Sequence, residues 1–560
     1  MNISLFSRRN ATKCISALSV AAFAASRADA QPAASESRPN VVYILTDDLG
    51  YGDIDGLNPT NKIKTPQLDH LIAQGMAFTE AHSSSAVCTP SRYNILTGRY
   101  NWRSTLKKGV LGGFSRPLIE PDRLTVAELL RDHGYRTACL GKWHLGLTWT
   151  PLPGAGESSD DDSDTDESTK NQMPRAGAGI DFTKPITDGP TTHGFDYFYG
   201  ISASLDMPPY TYIENNRVTT LPTIKKGTVY GANGKHMRIG PAAPGFKAVD
   251  VLPNLTGRAI SYIHQNAEEA RAGKPFFLYL ALPAPHTPIA PTPEWQGKSG
   301  LNYYADYVME TDDSVGQVLA ALDRDGITTN TLVVFASDNG CSPAADFPFL
   351  LSHGHNPSAG RRGYKADIYD GGHRVPMIVR WPNHVVPDTR TADFTCLGDF
   401  MATCADILDV KLPDTTAEDS ISYLPVLLNQ DAPAPRDTLV ESSINGSFAI
   451  RQGQWKLAFC PDSGGWSYPQ PGKVNTDSWP RFQLFNCVAD PEEKTNVFGQ
   501  HQEVVNRLGH LMRDYILNGR STAGAPQQND SVKAWQQTQW LDQFKADDLG
   551  TGIIPPNQPQ

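Results

Sequence analysis

Apolar runs that stop abruptly at polar clusters constrain this chain more than any other feature. VVYIL (41–45) leads into Thr46, Asp47 and Asp48, RTACL (136–140) into GKWHLG (141–146), FFLYLAL (276–282) into PAPH ending at His286, and TLVVFAS (331–337) into Asp338, Asn339 and Gly340. Each run is continuously apolar rather than alternating, which is the pattern of a strand buried on both faces. MIVRW (377–381) reads the same way, while TPQLDHLIAQG (65–75), TVAELLRDHG (125–134) and the long segment 303–326 carry apolar residues at helical spacing. Strands alternating with helices predict an α/β fold built on a mostly parallel sheet covered by helices. Ligands of such sheets bind just beyond the carboxyl ends of the strands, so the four polar clusters are expected to converge on one crevice.

The residue types in that crevice suggest a chemistry. Asp47, Asp48, Asp338 and Asn339 supply three carboxylates and an amide oxygen, a hard oxygen set suited to Ca²⁺, or to Mg²⁺ with waters. Turn preference alone would explain any one of them; two such sets at strand ends favour a metal. Lys142, His144, His286, Lys365 and Arg92 are the cationic or protonatable partners, whereas His82, His133 and His193 read as structural. A divalent metal plus several cations fits an anionic, oxygen-rich group such as a sulfate or phosphate ester. The chain as a whole is acidic, with a formal net charge of -11, which argues against a nucleic-acid partner.

At 560 residues with 39% hydrophobic content, the chain has length for more than one domain. Residues 1–30 read as a secretory signal peptide: Arg8, Arg9 and Lys13, then a short apolar run, then Ala28-Asp29-Ala30 as the cleavage site. The protein is therefore expected to be exported, periplasmic or secreted, with no stable membrane span, since no later run approaches about twenty apolar residues. The pair Arg8-Arg9 suggests twin-arginine export. Residues 38–430 are expected to form the catalytic α/β domain. Beyond a linker-like DAPAPRD (431–437), short antiparallel strands and the amphipathic QEVVNRLGHLMRDYIL predict a smaller α+β C-terminal subdomain over 437–545. The acidic run at 157–169 lacks the glycine and terminal glutamate of a calcium loop and reads as a solvated insertion, and the Gly/Pro-rich stretch from about 220 to 250 reads as loop.

One cysteine needs its own explanation. Cys88 lies in AVCTPSRYNILTGRY (86–100), in what reads as a Thr-Pro-Ser-Arg turn, with no second cysteine within fifty residues. After residue 30 seven cysteines remain and none forms a CxxC pair, so the odd count leaves at least one thiol unpaired, and Cys88 is the candidate. A free cysteine is most often a buried apolar thiol.

The stretch CTPSRYNILTGR (88–99) resembles the signature of the type I, formylglycine-dependent sulfatases of the alkaline phosphatase superfamily, in which Cys-x-Pro-Ser-Arg followed by Leu-Thr-Gly marks a cysteine oxidised to Cα-formylglycine. The resemblance extends over TDDLGYGD (46–53), GKWHLG (141–146), HGFDYFYG (193–200), PHTP (285–288), SDNG (337–340), GYKADIYDGGHRVP (363–376) and LFNCVADPEEKTNV (484–497). It implies an alkaline-phosphatase-like α/β core, an arylsulfatase-like activity, one Ca²⁺ held by Asp47, Asp48, Asp338 and Asn339, and a formylglycine-generating maturation enzyme as partner. It also implies that Arg92 holds the formylglycine, Lys142 and Lys365 bind sulfate oxygens, His144 acts as base, and His286 helps protonate the leaving alcohol. In the implied mechanism the hydrated aldehyde attacks sulfur and the second hydroxyl expels sulfate. Asp370 and the run Ala359-Gly360-Arg361 depart from the family's usual pattern. A formylglycine-dependent phosphonate or phosphate ester hydrolase is the alternative. For the substrate, Asp206, Tyr210, His355, Asn356 and Arg361 fall in loops with a polar-aromatic mix suited to a sulfated carbohydrate.

Overall fold

The computed structural model describes residues 38–153, 179–228, 236–429, 432–530 and 535–544. The signal-peptide reading at 1–30 and the acidic run at 157–169 lie outside these residues. Ten strands form the main sheet, in the order Thr389–Thr391, Met76–Phe78, Met377–Arg380, Thr331–Ser337, Asn40–Thr46, Phe276–Ala281, Arg136–Lys142, Tyr197–Ile201, Ile213–Glu214, Arg217–Val218. The five from Thr331–Ser337 to Tyr197–Ile201 are mutually parallel, with Val42 opposite both Leu278 and Val333. Met377–Arg380, expected as one more strand of the set, runs antiparallel to Thr331–Ser337.

The central strand shows why its sequence is continuously apolar. Val42 and Ile44 face one helical layer with Leu255, Ile263 and Val315, while Val41, Tyr43 and Leu45 face the other with Ile95, Leu130 and Phe400. Helices Pro66–Ala73, Val251–Arg271 and Tyr303–Arg324 supply the first layer, and Cys88–Thr97, Val126–Asp132 and Phe400–Leu408 the second. All seven residues of Asn40–Thr46 are buried. Truncating a core residue here, such as Ile44→Ala, is worth about 2–5 kcal/mol.

Helix ends follow local chemistry. Thr125 and Glu128 form a reciprocal capping box at the start of Val126–Asp132. Gly98 ends Cys88–Thr97 with φ 64°, and a Cβ there would also stand 2.9 Å from Ala417 and Ser420. Two expectations are corrected. The Thr-Pro-Ser-Arg stretch is no turn but the first turn of the buried helix Cys88–Thr97, where proline's missing N–H is tolerated. The stretch 220–250 contains an antiparallel pair, Ile224–Thr228 with Met237–Ala242.

Toward the C-terminus, Thr438–Ser442, Phe448–Gln452, Trp455–Ala458 and Gln483–Asn486 form a four-stranded antiparallel sheet backed by helix Gln502–Leu517. Its apolar cluster includes Tyr100, Trp102 and Cys396 from earlier in the chain, so this sheet shares a core with the larger body. Among the described residues no helix is long and apolar enough to cross a membrane.

Candidate active site

The strand ends meet as the sheet topology requires. The Asp47 amide donates to the Ala284 carbonyl (3.0 Å) and the Asp338 amide to the Thr46 carbonyl (3.1 Å), stitching three strand exits together. Ser337 Oγ accepts from the Leu49 amide and donates to the Asn339 carbonyl, fixing both carboxylate-bearing turns. Asp48 (φ 66°) and His144 (φ 59°) take the left-handed conformation without being glycine, a strain that surrounding packing sustains at functional sites.

Each carboxylate of this centre has a cation close to it, and Arg92 Nη2 also lies 3.9 Å from Asp47 Oδ1. Lys142 Nζ lies 2.7 Å from Asp47 Oδ2, Lys365 Nζ 2.7 Å from Asp48 Oδ1, and Arg92 Nη2 2.8 Å from Asp338 Oδ2. Burial alone would raise the Asp47 carboxyl, but Lys142, His286, Arg92 and Lys365 outweigh it and hold it well below the usual range. Burial and the neighbouring Asp47 charge instead push Asp338 up to about 6. A divalent cation between those two carboxylates would remove that repulsion and ionise both.

The donor set fits such a cation. Asp47 Oδ1 and Asn339 Oδ1 are buried acceptors with no hydrogen-bond donor among the described residues, while Asn339 Nδ2 donates to Asp48 Oδ1 (2.7 Å) and so aims its oxygen the other way. One ligand atom each from Asp47, Cys88 and Asp338 lie mutually within 4.8 Å, as do those of Asp47, Asp48 and His286. With three cations balancing three carboxylates, a divalent ion would leave a surplus of positive charge for an anionic ester.

Cys88 is the first residue of its helix, 2% exposed, so it presents its side chain at the helix's positive end. Burial pushes its thiol above the ordinary value, only partly offset by Lys142 and Lys365. A protonated, buried thiol is a poor nucleophile. Around it Val87, Val110, Ala203, Met207, Ala366 and Ile444 form an apolar collar against which Trp466 packs.

Backbone carbonyls orient both histidines. His144 Nε2 lies 2.7 Å from the Leu111 carbonyl, which can only accept, so Nε2 carries the proton and the buried Nδ1 is an acceptor without a partner. Burial, then Lys142 and Arg92, keep this imidazole neutral well below its usual range. Thr89 Oγ1 donates to the His144 carbonyl (3.0 Å) and accepts from the Leu111 amide, holding the pair. His286 Nδ1 likewise faces the Thr287 carbonyl (2.6 Å), leaving Nε2 toward Asp48 Oδ2 (3.6 Å).

All ten residues expected to carry metal or catalysis, Asp47, Asp48, Cys88, Arg92, Lys142, His144, His286, Asp338, Asn339 and Lys365, are thus brought together. Of the expected substrate residues, Asp206 joins them: it is 5% exposed, with Oδ1 3.9 Å from His286 Nδ1. Tyr210 is buried, its hydroxyl donating to the Asp206 carbonyl (2.6 Å), and shapes that loop from behind. His355 does not rim the pocket. Its ring is fully buried, with Nε2 donating to Asp53 Oδ1 (2.8 Å) and Nδ1 accepting from the Lys62 amide. Asp53 in turn accepts from the Gly50 amide and the Tyr304 hydroxyl, so His355 fastens the turn carrying Asp47 and Asp48. Asn356 closes its own turn onto the Ser358 amide, and Arg361 points to Asp370 (3.7 Å). Sequence reading missed the collar, whose members come from separate loops with no local motif.

The sulfatase family model matches residues 39–410. An N-acetylgalactosamine-6-O-sulfatase of Bacteroides thetaiotaomicron is 34% identical over 513 residues, covering 85% of this chain and 93% of that protein. Human arylsulfatase A is 30% identical over 484 residues, covering 82% and 83%. A structure solved in work on glycosaminoglycan metabolism by Bacteroides thetaiotaomicron superposes with a TM-score of 0.70 at 31% identity, covering 85% of this chain and 99% of that one.

Proposed function

Because the chain belongs to the sulfatase family and is a sulfuric ester hydrolase, we propose that it removes sulfate from sulfated carbohydrates, with 6-O-sulfated N-acetylgalactosamine as the first substrate to try. The carrying observation is the placement of Cys88 at a helix N-terminus, with an oxygen each of Asp47 and Asp338 within 4.8 Å of its sulfur and two unpartnered acceptor oxygens beside them. The sugar class rests on the N-acetylgalactosamine-6-O-sulfatase relative and on Asp206, an acceptor placed to take a sugar hydroxyl beside His286.

Asp47, Asp48, Asp338 and Asn339 would hold a calcium ion that supplies charge for the sulfuryl oxygens, and Cα-formylglycine made from Cys88 would supply a hydrated-aldehyde hydroxyl as nucleophile. The chain's own groups do the rest. Lys142 and Lys365 hold the ester's free oxygens and stabilise the charge that builds on them; Asp48 keeps Lys365 fully protonated despite its burial. His144 Nδ1, neutral and unprotonated, takes a proton from the residue-88 side chain. His286, when it carries a proton on each ring nitrogen with Nδ1–H held by the Thr287 carbonyl, gives the one on Nε2 to the departing alcohol. Arg92 donates to both Asp338 and the Lys142 carbonyl (3.1 Å), locking ligand and cation in one register. The collar excludes water from sulfur and strengthens every charge interaction inside. Export after cleavage at Ala30, and maturation of Cys88 by a formylglycine-generating enzyme, belong to the same reading.

Enzyme purified after co-expression with a formylglycine-generating enzyme tests it. A peptide spanning residue 88 should carry the aldehyde, and kcat/KM should be higher on an aryl sulfate than on the matched aryl phosphonate monoester. The reverse preference would overturn the sulfatase choice in favour of a phosphonate hydrolase.

A further inference from the structure

Outside the reaction centre, a cleft of about 290 Å³ opens between the C-terminal sheet and the loop that carries Lys365. Tyr468 and Trp479, 72% and 37% exposed, stand on its walls with Pro469 and Pro480, and Arg362 and Lys494 lie among them. Two aromatic side chains left partly to water with cations among them offer a stacking surface beside positive charge.

The polar groups here divide into a fixed floor and available donors. Gln483 Nε2 donates to the Cys460 carbonyl and Asn496 Oδ1 accepts from the Leu484 amide, so both amides are engaged by backbone. Arg362 stacks on Tyr369, its guanidinium carbon 3.7 Å from the ring centroid, and Nη1 donates to the Glu493 carbonyl (2.7 Å). That contact orients the guanidinium, and among the described residues no hydrogen bond engages its Nε or Nη2. Lys494 pairs with Glu492, but both are largely exposed, and such a solvated pair yields readily to another anion.

Two connections tie the cleft to the reaction centre. Arg362 precedes Lys365 by three residues, a span of at most about 10 Å. Trp466, which packs on the collar around Cys88, precedes Tyr468 by two, and its amide and that of Ser467 donate to Asp367 Oδ1 (2.8 and 2.9 Å), within the Lys365 loop. We propose that this cleft is a second subsite that holds a neighbouring anionic pyranose, a uronate or another sulfated sugar, of the glycan whose sulfate ester sits at Cys88. The sugar's apolar face lies on Tyr468 and Trp479, and its carboxylate or sulfate meets Arg362 and Lys494. The assignment rests on the sulfated-carbohydrate reading and deepens it: the enzyme acts on chains, not on isolated sugars.

The test compares the wild type with a variant carrying Tyr468→Ala and Trp479→Ala, on an aryl sulfate and on a tetrasaccharide alternating uronate with 6-O-sulfated N-acetylgalactosamine. Both side chains are exposed, so the variant should fold. The expected result is a loss of about tenfold or more in kcat/KM on the tetrasaccharide, carried by KM, with the aryl sulfate changed less than twofold. Equal losses on both substrates, no loss on either, or a wild type that turns over the sulfated monosaccharide as well as the tetrasaccharide would each overturn the subsite while leaving the sulfatase reading intact. Should no sulfate ester be hydrolysed, the functional reading fails on its own. Calorimetric titration of the tetrasaccharide into both proteins then decides the cleft: weaker binding by the variant supports it, and equal or absent binding refutes it.

Discussion

Two buried ionic clusters in this protein look alike at first sight and do different things. One is the reaction centre at the strand ends. The other lies where the C-terminal sheet meets the main body, where His82, Asp370 and Glu441 also place ligand atoms mutually within 4.8 Å. In this junction each cation bridges two segments: Arg374 joins Glu80 to Asp370 (both 2.7 Å), and Lys456 joins Glu441 (2.9 Å) to Glu493 (3.1 Å). His82 adds Glu441 at 2.9 Å. His82, Glu441, Arg451 and Lys456 sit on regular strands. In the reaction centre the charged groups stand at the carboxyl ends of parallel strands, and Asn339 Oδ1 is a buried acceptor with no hydrogen-bond donor among the described residues, whereas the Glu441 and Glu493 oxygens of the junction meet His82 or Lys456 within 3.1 Å. Buried charge alone therefore does not mark an active site. Position at the carboxyl ends of parallel strands, with an acceptor left over for a ligand, does.

Substitutions should separate the two clusters. Asp338→Asn preserves shape while removing a hard ligand and a negative charge, so kcat/KM on an aryl sulfate should fall by about 10³-fold or more with melting temperature little changed; turnover near wild type after chelator treatment would remove Asp338 from the centre. Lys456→Met should do the opposite. It leaves Glu441 and Glu493 buried without their cation, costing about 3–5 kcal/mol by denaturant unfolding while folded molecules retain turnover. If turnover collapses instead, the junction is part of the chemistry. Lys365→Ala should cost about 10²–10³ in kcat, and a change of only a few-fold would place that ammonium outside the transition state.

The smallest effect concerns pH. Burial lowers His373, within the junction, to about 4, whereas in the unfolded chain it takes a proton below about 6.5. The unfolded state thus binds the extra proton between these values, so stability is full above pH 6.5 and declines as pH falls toward 4, by at most about 3 kcal/mol. Comparing unfolding free energies of wild type and His373→Gln across that window isolates the contribution; parallel curves would show that His373 does not titrate there.

The sheet and the reaction centre are legible because their signals are local: a strand buried on both faces is continuously apolar, and the functional residue stands at its carboxyl end, as the last residue at Lys142 or the next one at Asp47 and Asp338. The junction is not, since Glu80, Asp370, Glu441 and Lys456 come from separate segments and a lone charge in a sequence reads as solvated. The helix beginning at Cys88 reads as a turn in sequence because Thr-Pro-Ser carries turn chemistry, and its cap, Val87, offers no side-chain hydrogen bond. In sequence His355, among Ser, Gly and Asn, resembles a residue of a sugar-binding loop; only the fold reveals Asp53 beside it.

What residue 88 does can be read from a single variant. Cys88→Ser puts a hydroxyl at the same helix N-terminus, where it can attack sulfur but leaves no second hydroxyl on its carbon to expel sulfate. Incubated with an aryl sulfate, the folded variant should release at most one equivalent of the alcohol and gain the mass of one sulfuryl group on Ser at position 88 in intact-protein mass spectrometry. Repeated turnover without an adduct would contradict a nucleophile derived from Cys88 by oxidation.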